Sequence, residues 1–443
     1  MKVSYSYSQI WKVAYPILLT LLVQNLIQVI DTAFLGRVGE VELGASAIAG
    51  IYYVVIFMLA FGFGIGSQIL IGRRNGERNY HQIGDIVVYG ILFLLAMALC
   101  LFLLTRLMSE NVLSAMLSSP DVLDAALKYL DVRIYGIFFS VINVMFRSFY
   151  VGTTKTRVLS LNALIMALMN VFFDYTLIFG NWGFPSMGIA GAALASVIAE
   201  ASAVIFLILY TCCAVNLKKY GFKNIRLTNW RVIKNVLNVS LSLMLQYFLS
   251  LGTWLFFFLA IERMGEQPLA ISNIVRSVYM LLAMPVMALA ATTNTLVSNT
   301  IGAGKQKEVL PLIWKVVRLS LGIVGSFVML IALFPRLMLS VYTPDADLIT
   351  MSLPSLYVVL MVLPIVAIGN IFFNSVSGTG NTRKALLIEI ITLLMYIGYM
   401  WLVIVFFKAP LAVCWTTEFV YAGFIFLLSY LYLRYGKWTQ RKI

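Results

Sequence analysis

Charge is what this chain has least of. Only 11% of its 443 residues are Asp, Glu, Lys or Arg, and 61% are hydrophobic. A soluble domain carries about 25% charged residues. So little charge cannot cover a water-soluble globule of this length, and the chain must meet lipid over much of its course. Histidine is nearly absent, with His81 alone in a basic loop. The four cysteines, Cys100, Cys212, Cys213 and Cys414, fall in or beside apolar runs without metal-ligand or disulfide-framework spacing. No zinc, haem or other metal site is expected. Gly62, Gly64 and Gly66 alternate but no Lys-Ser/Thr follows, which excludes a phosphate loop and leaves a stripe for close helix packing. No apolar stretch followed by a small-residue cleavage site opens the chain, so no removable signal peptide is expected.

Long apolar runs are what the chain has in quantity. Ile86–Thr105, IVVYGILFLLAMALCLFLLT, shows their length. About 20 such residues cross roughly 30 Å of hydrocarbon as a helix. A transmembrane barrel would instead show short alternating segments. The expected fold is therefore all-α and polytopic. Twelve spans are expected, at 10–35, 45–71, 84–106, 127–151, 158–180, 187–213, 233–261, 269–299, 309–334, 350–377, 384–407 and 410–434.

An even number of spans puts both termini on one side, and the bases choose it. Lys2, Lys12, Arg73, Arg74, Arg78, Lys155 and Arg157 lie on one face. Lys218, Lys219, Lys223, Arg226, Arg231, Lys234, Lys305, Lys307, Arg383, Lys384, Arg434, Lys437, Arg441 and Lys442 join them. The other loops carry few bases and several acids, among them Glu110, Asp121, Asp124, Asp345 and Asp347. The basic face is expected in the cytoplasm of a bacterial cell, with the chain in the inner membrane. The net charge of +14 is thereby explained without a nucleic-acid partner.

The chain also repeats itself. FRSFYVGTTKTR (Phe146–Arg157) and FFNSVSGTGNTR (Phe372–Arg383) stand 226 residues apart, pairing Phe146 with Phe372, Gly152 with Gly378 and Thr156-Arg157 with Thr382-Arg383. Six spans repeated as six give two halves of the same topology. The expected organisation is a first six-helix bundle at 1–213, a cytoplasmic linker at 214–232 and a second bundle at 233–443. Internal repeats of this kind are common in secondary transporters, whose substrate path lies at the repeat interface.

Charges inside spans are costly and are functional candidates by default. Asp31, Arg147, Asp174, Glu200, Arg276, Glu389 and Glu418 are the ones singled out. Asp31 and Asp174 sit at matching depth in two parallel spans. Asn170 is one helical turn before Asp174, and Gln24, Gln28 and Asp31 form an i, i+4, i+7 stripe. Two polar stripes in one half point to a polar cavity there. Two carboxylates sharing low dielectric cannot both stay charged cheaply, so such a pair can take up H⁺ or share Na⁺. The second half has Phe257 and Met400 at the matching positions, so coupling is expected in the first half. The second half offers aromatic residues, including Trp254, Tyr279 and Tyr396, that could stack on flat organic cations. Pro16 can kink the first span and is a hinge candidate. Glu389 and Glu418 are expected nearer the membrane faces, in structural roles.

VIDTAFLGRVGE (Val29–Glu40), FRSFYVGTTKTR, NVFFDYTLIFG (Asn170–Gly180) and GIAGAALASVIAE (Gly188–Glu200) make the chain resemble the multidrug and toxic compound extrusion family, and its DNA-damage-inducible-type branch in particular. The resemblance implies two six-helix bundles in a V, alternating access, and export driven by H⁺ or Na⁺. It implies that Asp31, Asn170, Asp174 and Glu200 serve ion coupling. Some family branches place a Glu in span 7 and an Asp in span 10, and LQYFLSLGTW and LPIVAIGNIFF have no acid there, which favours H⁺ coupling in the first bundle. The expected protein is a monomeric exporter of cationic or amphipathic organic molecules, needing no cofactor beyond its coupling ion. The alternative is a flippase for a lipid-linked or metabolite substrate. An enzyme is not expected, because no clustered nucleophile, His or metal ligands are present.

Overall fold

Apolar side chains satisfy a helix's surroundings in lipid, and its own backbone satisfies every N–H and C=O, so each run folds as a helix. The computed structural model describes residues 5–117, 119–222 and 230–439. Lys2, Lys223, Arg226, Arg441, Lys442 and part of the expected linker lie outside them. In chain order the helices are α1 (Tyr7–Val38), α2 (Glu40–Gly76), α3 (His81–Met116), α4 (Pro120–Arg133), α5 (Gly136–Gly152), α6 (Arg157–Phe179) and α7 (Gly188–Ala214). They continue as α8 (Trp230–Glu262), α9 (Glu266–Gly302), α10 (Val309–Leu333), α11 (Pro335–Ser340), α12 (Ala346–Gly378), α13 (Thr382–Met400), α14 (Leu411–Cys414) and α15 (Thr417–Tyr435). A wider π-turn over Trp401–Phe406 prolongs α13.

Eleven of the described segments are long and apolar enough to cross a membrane, and α4 with α5 makes a twelfth span bent by 51°. That span differs from the straight 127–151 stretch expected. It begins at Pro120, and its polar first part, PDVLDAALKYLDVR, turns at Ile134–Tyr135. There the backbone tightens to three-residue hydrogen bonds, Tyr135 N–H to Val132 O and Ile137 N–H to Ile134 O, both at 3.2 Å.

The chain divides into two compact units, Leu19–Met244 and Met1–Leu18 joined with Leu245–Ile443. The divisions fall within α1, two residues after Pro16, and within α8. The proline does not interrupt α1, which runs on as one helix.

In the N-terminal unit, α2 packs on α3, α4 and α5, and α6 on α7. The glycine stripe does what its spacing predicts. A Cβ on Gly62 would stand 2.6 Å from Met244 Cα, and one on Gly66 would stand 2.7 Å from Ser240 Cα. Only glycine lets the Ser240–Met244 stretch of α8 lie this close. In the C-terminal unit α12 is central, flanked by α9, α10 and α15, with α13 on α15. Phe372 and Val376 anchor one core there, Phe257 and Trp415 another.

The repeat is visible in contacts as well as letters. A Cβ on Gly152 would meet Gln68 O at 3.0 Å, and one on Gly378 would meet Asn294 O at 2.5 Å. Gln68 and Asn294 stand at the same separation, 226, as the two glycines.

Candidate ion-coupling site

Three of the expected residues converge in the N-terminal unit. Asp31 comes from α1, and Asn170 and Asp174 from one face of α6. Asp174 is fully buried. The Asn170 amide lies between the acids, and oriented with its nitrogen toward them it donates to Asp31 Oδ1 at 2.9 Å and to Asp174 Oδ2 at 3.2 Å. The two carboxyl groups share that one amide and feel each other's charge. The remaining oxygen of Asp174, Oδ1, is buried without a partner. Among the described residues no Lys or Arg forms an ion pair with either acid.

The cation that acts on this pair is one the sequence reading did not single out. Arg133, at the break between α4 and α5, acts electrostatically on Asp31. Its own partner is Glu200 of α7, held through two hydrogen bonds of 2.5 and 3.1 Å. The guanidinium lies over the Tyr53 ring, 3.9 Å from its centre, and Tyr53 Oη meets Ser140 Oγ at 3.1 Å. Tyr129 feels Arg133, Glu200 and both aspartates. Gly136 makes room for this ion pair, because a Cβ there would run into both the guanidinium and the Glu200 carboxylate. Arg133 lay inside the expected fourth span, and its charge alone was the signal that could have found it.

The other candidates are placed differently. Gln24 and Gln28 lie exposed on α1. Trp254 is half-buried against Phe258, with ring centres 5.1 Å apart. Tyr279 is half-buried. Tyr396 is buried, and both hydroxyls turn onto Glu418. A phenol inside a membrane protein is drawn to the nearest strong acceptor. Phe257, at the repeat position of Asp31, is buried in the Trp415 core. Arg147 lies over the Phe61 ring.

Twelve spans in two repeated halves, with acids and an amide gathered inside one of them, define a membrane transporter. The chain belongs to the MatE family, which it matches over residues 16–176 and 239–415. It is 23% identical over 435 residues to a probable multidrug resistance protein NorM of Thermotoga maritima, covering 98% of this chain and 93% of that one. It is 26% identical over 353 residues to the protein of that name from Idiomarina loihiensis, covering 78% and 75%. Among solved structures, a crystal structure of MATE in the bent conformation superposes with a TM-score of 0.84 at 19% identity, over 97% of this chain and 94% of that one. An outward-facing multidrug resistance MATE transporter of the MOP superfamily superposes at 0.87 and 19% identity, over 96% and 94%. At these identities the structures speak for the fold.

Proposed function

We propose that this protein is a multidrug exporter that exchanges external H⁺ for cytoplasmic organic molecules, cationic or amphipathic, by alternating access. The observation that carries this reading is the Asp31–Asn170–Asp174 cluster, in which a half-buried acid and a fully buried one share the Asn170 amide with no base paired to either. In one state the pair holds a proton. In the other, release of that proton leaves a negative charge that a substrate cation can offset. Arg133 lowers the cost of that charge from a distance and is itself neutralised by Glu200. Glu200 on this reading acts by fixing Arg133, while the aspartates exchange the proton. The relatives named as probable multidrug resistance proteins support the substrate class. The reading includes a bacterial inner-membrane location, both termini in the cytoplasm, the DNA-damage-inducible-type branch and a monomer that needs no cofactor.

The test is export of a fluorescent cationic dye from proteoliposomes, with pH and Na⁺ gradients imposed separately. Acid on the external side should accelerate export and a Na⁺ gradient alone should not. Asp31→Asn and Asp174→Asn should each reduce proton-linked export at least about tenfold while the folded protein remains in the membrane, a loss of about 1.4 kcal/mol or more in driving the cycle. Normal export by both variants would remove the acids from the mechanism, and export following Na⁺ would replace the ion.

A further inference from the structure

The C-terminal unit buries two carboxyl groups that the coupling site does not use. Glu389 of α13 is fully buried, and Glu418, in the first turn of α15, is 4% exposed. Both are buried inside the protein, with hydroxyl partners from neighbouring helices. Their partners are crossed. Glu389 of α13 receives the Tyr421 hydroxyl of α15, at 3.2 Å to Oε1 and 3.4 Å to Oε2. Glu418 of α15 receives the Tyr396 hydroxyl of α13 at 3.4 Å, and the Tyr279 hydroxyl of α9 at 3.3 Å. The rings of Tyr396 and Tyr421 meet edge to face at 6.1 Å, which joins the two pairs. Ser250 of α8 closes the cluster, with Oγ 2.5 Å from Glu389 Oε1.

The hydrogens around Ser250 do not suffice for an ionised Glu389. Ser250 Oγ also lies 3.0 Å from the Gln246 carbonyl, one helical turn back. A hydroxyl has one hydrogen to give. When it goes to the Gln246 carbonyl, as serines in helices commonly arrange, the 2.5 Å contact is a hydrogen bond only if Glu389 brings the proton. When it goes to Glu389, the bond to the Gln246 carbonyl is lost. Both contacts are satisfied together only by the acid form.

Nor is there a counter-charge. Among the described residues neither glutamate has an ion pair. Arg276 of α9, three residues before Tyr279, places its guanidinium over the Phe258 ring at 4.9 Å. The other charged residues of α8, α9, α13 and α15 lie near helix ends. Tyr247 adds a further neutral phenol on α8, and the only phenol of α12, Tyr357, lies on its exposed side. A carboxylate in a membrane interior with only neutral hydroxyls around it costs several kcal/mol, and the protonated acid avoids that cost. Gln246, itself nine-tenths buried, keeps an unpartnered Oε1 one turn from Ser250.

We propose that Glu389 and Glu418, bridged by Tyr396 and Tyr421, form a second exchangeable-proton site, housed in the C-terminal unit and separate from Asp31 and Asp174. Uptake at either acid forms one O–H bond and removes one negative charge, and release reverses it. Its place in a transport cycle rests on the proton-exchange reading above; its existence does not.

Infrared difference spectra of the full chain in lipid vesicles, taken between mildly acid and alkaline buffer, read protonated carboxyl groups through a C=O stretch that shifts in D₂O. The wild type should lose carboxylic-acid bands on alkalinisation. Glu389→Gln should remove one of them and Glu418→Gln another, while Asp31→Asn leaves both. Tyr421→Phe and Tyr396→Phe keep both acids and should shift the corresponding band, which serves the test even if a glutamine variant does not fold. Spectra of both glutamine variants matching the wild type would overturn the site. So would Glu389 and Glu418 bands that persist unchanged at alkaline pH, since the acids would then be permanently protonated. A failed dye-export test in Asp31→Asn with these bands intact would count against the N-terminal mechanism alone.

Discussion

Arg133 is held by what surrounds it. Its guanidinium has Glu200 on one edge and the Tyr53 ring on its face, and the paired side chains are only 12% and 14% exposed. Removing one partner from such a pair leaves a charge without compensation, which costs about 3–5 kcal/mol, whereas replacing both by neutral groups is often tolerated. Glu200→Gln should therefore lower the melting temperature in detergent sharply, and the double variant Arg133→Met with Glu200→Gln should recover most of the loss. If the double variant melts no higher than the single one, the pair is not the unit of stability described here. Asp31, Asn170 and Asp174 were legible in the sequence because acids in apolar runs are rare and helical spacing assigns them to faces. The Arg133–Glu200 pair was not, since its members are 67 residues apart and only the fold brings them together. The bond from Tyr396 to Glu418 was not legible either: ring chemistry says what a tyrosine can bind, while its neighbours decide what its hydroxyl meets.

At the scale of the helix, backbone approach sets which positions tolerate a side chain. Gly66 of α2 would place a Cβ 2.7 Å from the Ser240 backbone, and Gly50 on the same helix has nothing within 4 Å. The two should respond to alanine with opposite signs. Gly66→Ala forces α2 away from α8, an overpacking worth about 1–3 kcal/mol. Gly50→Ala meets no obstacle and gains up to about 1 kcal/mol of helix propensity. Thermal unfolding of the two variants in the same detergent checks the contrast, and equal melting temperatures would contradict it. The spans themselves were readable from hydropathy alone, because length and apolarity suffice to place a helix in lipid. The 51° bend between α4 and α5 was not. Hydropathy does drop over the polar first segment, but the glycine that makes room for the Arg133–Glu200 pair at the bend leaves no mark there.

For the whole molecule, the halves are alike in backbone and unlike in chemistry. The repeat keeps the Gly152 and Gly378 approaches in register, yet it replaces Asp31 by Phe257 and Asp174 by Met400. Acids return in the C-terminal unit on α13 and α15, with phenols as partners in place of an amide. Exchange of protons for substrate has a direction only if the chain has one orientation, and that orientation rests on the distribution of bases. Lys437 follows α15 on the face expected in the cytoplasm, and Asp347 opens α12 on the face expected outside; both are exposed. With the native cysteines replaced by serine, Asp347→Cys should react with a membrane-impermeant maleimide added to intact cells. Lys437→Cys should react only after the membrane is opened. The positive-inside bias works through short loops such as these, where each Lys or Arg opposes translocation. The reverse labelling pattern would place the basic face outside and make an acid exterior drive import. Reaction at both positions in intact cells would mean two orientations, and no net proton-driven export could then be sustained.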